Sequence, residues 1–91
     1  MNRDYFSRWL NENTTLSYNS ISKYLGAIKT MSNELLSKGV MEKPLYELND
    51  SIEAERLKDK YFSVRQFREK DERGHRMYSR AFIYYIQFLK K

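Results

Sequence analysis

Six cations fall within sixteen residues toward the carboxyl end: Arg65, Arg68, Lys70, Arg73, Arg76 and Arg80, five of them arginine. A guanidinium is planar and permanently charged, and its fork of N–H donors matches a phosphate or the edge of a guanine. A segment of this kind suits docking on a polyanion. His75 lies inside it, placed to contact a phosphate, and Tyr84 follows Arg80 at helical spacing, where its ring could stack on a base or sugar. The candidate nucleic-acid-binding set is therefore Arg65, Arg68, Lys70, Arg73, His75, Arg76, Arg80 and Tyr84. Two other readings use the same residues. One is contact with an acidic protein; the other is a solvated face tied internally by i,i+4 pairs such as Glu69–Arg73 and Glu72–Arg76.

Other chemistry finds little support. His75 is the only histidine, and a catalytic imidazole needs an orienting carboxylate and a nucleophile beside it. There is no cysteine, which removes thiolate metal sites, thiol nucleophiles and disulfide scaffolds. Asp71 and Glu72 have neither EF-hand nor zinc spacing, and three scattered glycines make no phosphate-cradling loop. The expectation is a binding domain with no catalytic residues, metal or cofactor of its own.

The charge balance isolates the same segment. Residues 1–62 carry nine Lys/Arg and nine Asp/Glu, whereas residues 63–91 carry eight against three, so the net +5 resides in the last third. Localised positive charge attracts phosphates, acidic proteins or anionic lipid heads. The first helix has too few basic residues for a membrane-surface anchor. No apolar run reaches the ~18–20 residues of a membrane span, and the amino-terminal segment is too charged for a signal peptide. A cytoplasmic protein is expected.

The elements that must position the basic segment are helical. Ninety-one residues suit one domain, and one proline with three glycines permits long helices. Asn2 can cap a first helix with Tyr5, Phe6, Trp9 and Leu10 on one face, ending in the polar Asn11–Thr15. Ser17 can cap a long second helix, whose stripe runs Ile21, Tyr24, Leu25, Ile28, Met31, Leu35 and Leu36. Gly26 inside it suggests a close crossing, and Gly39 a left-handed end. A connector around Pro44 holds Leu45 and Leu48 to the core. Asp50 with Glu53 opens a third helix carrying Ile52, Leu57 and Tyr61, and Ser63 with Gln66 opens a short fourth. The last helix, from about His75 to Lys90, turns Tyr78, Ala81, Phe82, Tyr85, Ile86 and Leu89 inward and Arg76, Arg80, Tyr84, Gln87 and Lys91 outward. Gly74 would let amides at its start approach an anion. The fold class is all-α, a compact bundle of four to five helices in one domain over residues 1–91.

Two stretches resemble a known kind of module. LSYNSISKYLGAIKTMSNELL (Leu16–Leu36) resembles a helix of pattern Leu-Ser-x-x-Thr-Ile-x-x-Tyr, with Ser20 in the Thr position. FSVRQFREKDERGHRMYSRAFIYYIQFL (Phe62–Leu89) resembles a second signature, Arg-Gly-x-Arg-x-Tyr-Ser-x-Ala-x-x-x-Tyr-x-x-Phe-Leu after a Phe-rich short helix. Both occur in helical modules near the start of restriction endonucleases, HNH-type and modification-dependent enzymes among them. The core-binding domain of tyrosine recombinases is more distantly similar. The resemblance spans nearly the whole chain and is most specific over Arg73–Leu89. It implies the target-recognition part of a larger defence nuclease, with double-stranded DNA and the rest of the parent enzyme as partners. The alternative is a protein-interaction or oligomerisation module using an exposed aromatic patch near Tyr84, Phe88 or Tyr18.

Overall fold

Ser17 starts the longest helix, its Oγ accepting the Ser20 N–H at 3.2 Å. The computed structural model describes residues 2–90, so the outward position expected for Lys91 lies outside the described residues. Among them are five α-helices: α1 (Arg3–Asn13), α2 (Tyr18–Ser37), α3 (Ser51–Phe62), α4 (Arg65–Arg73) and α5 (Met77–Lys90). A single 3-10 turn, Leu45–Glu47, interrupts the connector between α2 and α3. The fold is thus the all-α bundle anticipated.

α2 ends as its sequence prescribes. Gly39 takes φ +71°, its N–H reaches Leu36 O, and the Val40 N–H reaches Leu35 O, the paired bonds of a Schellman end. Gly26 is different: a Cβ there would meet nothing within 4 Å, so it marks no helix crossing. Asp50 Oδ1 accepts from the N–H groups of Ile52 and Glu53 at 2.9 and 3.4 Å. Glu53 does not reach back to complete the box, because Arg56 holds its carboxylate. Ser63 is not the α4 cap; its Oγ donates to Lys60 O at 2.7 Å and closes α3 instead. Asn2 flanks α1 without capping it. Its side-chain amide donates to Leu48 O at 2.9 Å and contacts Tyr85 Oη at 3.2 Å, stitching both to the amino-terminal end.

α5 packs against α1, α2 and α3 and supplies Ala81, Phe82, Tyr85, Ile86 and Phe88 to the core. Phe6 of α1 meets the Tyr85 ring edge-on at 5.1 Å, the geometry that sets a positive ring edge against a negative face. Tyr5, Ile52 and Ile83 are exposed. For Tyr5 and Ile52 this corrects the inward placement their periodicity suggested.

Three core tyrosines carry hydroxyls that the fold must satisfy. Tyr46 Oη donates to Leu25 O at 2.8 Å, Tyr61 Oη to Glu34 Oε1 at 2.6 Å, and Tyr85 Oη to Leu45 O. Burial pushes the Tyr85 hydroxyl up to about 12. Burial also raises Tyr46, and burial with the Glu34 hydrogen bond raises Tyr61. A raised folded pKa favours the protonated, folded form. That contribution is complete below the unfolded value near pH 10 and disappears as pH climbs toward and through the folded values. Each unit is worth about 1.4 kcal/mol. We therefore expect a melting temperature, read by circular dichroism, that shows no tyrosine-linked fall up to about pH 10 and then drops by roughly 10 °C or more by pH 12.

Candidate nucleic-acid interface

α4 and α5 present most of the nominated cations, and a tight turn through Gly74–Arg76 joins them. The turn is left-handed at His75 and Arg76, with φ of 57° and 63°, conformations that cost an L-residue roughly 1–2 kcal/mol each. Gly74 itself has φ −91°. The strained pair delays α5 to Met77, two residues beyond the expected start, and throws His75 and Arg76 outward, where both are exposed.

Asp71 holds the turn from below. It is buried, its carbonyl accepts the Arg76 N–H at 2.7 Å, and its Oδ1 accepts the Ser79 N–H at 2.9 Å. A carboxylate on the third amide of α5 is an N-cap delivered from the neighbouring helix, where the dipole also favours it. Gly74, His75 and Met77 give their N–H groups to Lys70, Glu72 and Gly74 carbonyls. The anion expected at the start of α5 is thus internal: the chain's own Asp71 takes that place.

The eight nominated residues divide. Arg68 and Arg76 line one depression of about 240 Å³ between α3, α4 and the start of α5. His75, Arg76 and Arg80 line an adjoining one with Glu72. Among the described residues none of the Arg68, Arg73, His75, Arg76 and Arg80 side chains forms an ion pair within 4 Å of a carboxylate oxygen. The expected Glu69–Arg73 and Glu72–Arg76 pairs do not form; Glu69 pairs instead with Arg65, at 3.1 Å. Arg73 stands about 140° around α4 from Arg68, at 100° per residue, so it flanks the cluster rather than joining it.

Lys70 and Tyr84 leave the set. The Lys70 ammonium binds both carboxylate oxygens of Glu34, at 2.8 and 2.9 Å, and lies 4.7 to 5.8 Å from the centres of the Tyr78, Phe67 and Tyr61 rings. It ties α4 to α2 and is no free cation. Tyr84 is half-buried, with its ring 5.8 Å from Tyr24 and 6.4 Å from Trp9. The outward stripe of α5 runs instead through Arg80, Ile83, Gln87 and Lys90. Phe88, expected in an exposed aromatic patch, is buried, whereas Tyr18 is 85% exposed.

Elsewhere some cations are paired, while Arg8, Lys23, Lys29, Lys43 and Lys60 make no ion pair among the described residues. Arg56 is held by Glu53, whose carboxyl the hydrogen bond draws below its ordinary range, and Lys90 pairs with Glu55 at 3.3 Å. The depression beside the connector carries Glu42, Glu47 and Glu53 on its rim. Among the described residues no group of three His, Asp or Glu side chains could hold a metal ion, and no helix is long and apolar enough to cross a membrane. Compared with protein-family models, curated proteins and solved structures, the chain matches none of them.

Proposed function

We propose that this chain is a DNA-docking module that meets the phosphates of a duplex with Arg68, His75, Arg76 and Arg80, with Arg73 at the margin. One observation carries the reading: Arg68, Arg76 and Arg80 border two adjoining depressions and make no ion pair among the described residues, although Glu72 lines both. An uncompensated, exposed guanidinium keeps its full attraction for phosphate, because no internal pair must break first. Phosphate contacts would fix register and orientation, leaving base reading to an Arg side chain reaching from the turn into a groove. Membership of a restriction or defence nuclease rests on the sequence resemblance alone. Double-stranded DNA is the proposed partner, and the remainder of a parent enzyme a second one. An anisotropy titration of a labelled duplex at low salt tests the docking. Saturable binding in the micromolar range or tighter is expected, whereas no binding at tens of micromolar protein contradicts it.

A protein-interaction role keeps one supporting observation, the exposed Tyr18 ring at the start of α2. Self-association by light scattering without DNA, lost in Tyr18→Ala, would favour it.

A further inference from the structure

The depression between α3, α4 and α5 holds a cation from outside the basic segment. Lys58, on α3, lines it together with Arg68 and Arg76. Its ammonium lies 3.7 Å from Asp59 Oδ1, a carboxylate that is itself 80% exposed, so the pair is long, solvent-screened and easily exchanged. Three cations from α3, α4 and the turn therefore border one space of about 240 Å³. At ~30 Å³ per water, that is room for a tetrahedral phosphate and part of its hydration.

Two carboxylates share the site, and they differ. Asp71 is engaged with the Ser79 N–H, so its charge faces the start of α5. Glu72 is exposed, makes no ion pair among the described residues, and lines both this depression and the one formed by His75, Arg76 and Arg80. We infer that Lys58, Arg68 and Arg76 form a seat for one phosphate group, and that Glu72 stands in the shared wall as a built-in competitor for the same cations. The inference rests on the docking reading and deepens it: the adjoining depressions take neighbouring phosphates of one strand, and Glu72 sets how tightly.

An uncommitted surface predicts the same small gain from neutralising Glu72 as from neutralising the distant exposed Glu42; a competitor predicts a larger one at Glu72. Tripolyphosphate, titrated into the full chain and followed by NMR, should move the Lys58 and Arg68 side-chain resonances. Lys58→Gln should weaken its affinity and Glu72→Gln strengthen it, each by about fivefold, with melting temperatures checked alongside. On a labelled duplex the same order is expected, and Lys58→Gln should reduce the salt dependence by about 0.9 log units per log unit. Tripolyphosphate affinity that ignores both substitutions, or shifts confined to other residues, overturns the seat. The expected tripolyphosphate order with no duplex binding leaves the seat standing and rejects the docking reading. Duplex binding with no tripolyphosphate response rejects the seat alone.

Discussion

Arg76→Glu with Arg80→Glu should reduce duplex affinity by at least about 100-fold while leaving the bundle folded. Each guanidinium that meets a phosphate contributes about a factor of ten at low salt, near 1.4 kcal/mol, and reversal replaces attraction with repulsion. Both side chains are exposed and hold no carboxylate, so little folded structure depends on them, and surface changes of this sort usually stay within ±0.5 kcal/mol. The reversal does set two new carboxylates beside Glu72, so a fall of a few degrees in melting temperature is expected. Arg76→Gln with Arg80→Gln avoids that crowding and should still lower the salt slope by about 1.8. Equal retention of wild type and either double variant on DNA would show that the turn is not the contact.

The second large effect is structural and reaches the site from beneath. Asp71→Ala should destabilise the protein by about 2 kcal/mol, because it removes a buried cap and leaves the Ser79 amide without its acceptor. For a domain of this size that is roughly 10 °C of melting temperature. Asp71→Asn keeps an acceptor oxygen and should cost about half as much. The carboxylate anchors the first turn of α5 through the Ser79 N–H, three residues past the left-handed pair, whose Arg76 N–H is held by the Asp71 backbone carbonyl; without that anchor the start of α5 would loosen. Duplex affinity should therefore fall in Asp71→Ala even below its melting temperature, with both effects partly recovered in Asp71→Asn. Unchanged stability in Asp71→Ala would mean that the cap contributes nothing.

Much of the architecture was legible because it follows from neighbours in sequence. The α2 stripe, the Ser17 cap and the Gly39 end obey local rules of period and backbone freedom, and each stands where those rules put it. What escaped depends on partners far along the chain. Lys70 counts among the candidate binding residues until Glu34, 36 residues earlier, is folded against it. Tyr84 sits only about 40° from Arg80 on a helical wheel, yet Trp9 and Tyr24 cover it because α1 and α2 pack along that flank. Lys58 lies seven residues ahead of Arg65, and only the packing of α3 beside α5 brings it to the arginines. The left-handed pair His75 and Arg76 had no signal in the sequence, because neither residue type favours that backbone and the Arg76 N–H is held by a carbonyl five residues back. A cap reaching eight residues forward from another helix matches no sequence rule.

The central claim is that several cations around the α4–α5 turn meet phosphates directly, and the salt dependence of duplex binding counts them. Three to four neutralised phosphates, at 0.9 each, predict a slope of log affinity against log salt near −3. A slope near zero, or binding that survives molar salt, would contradict it.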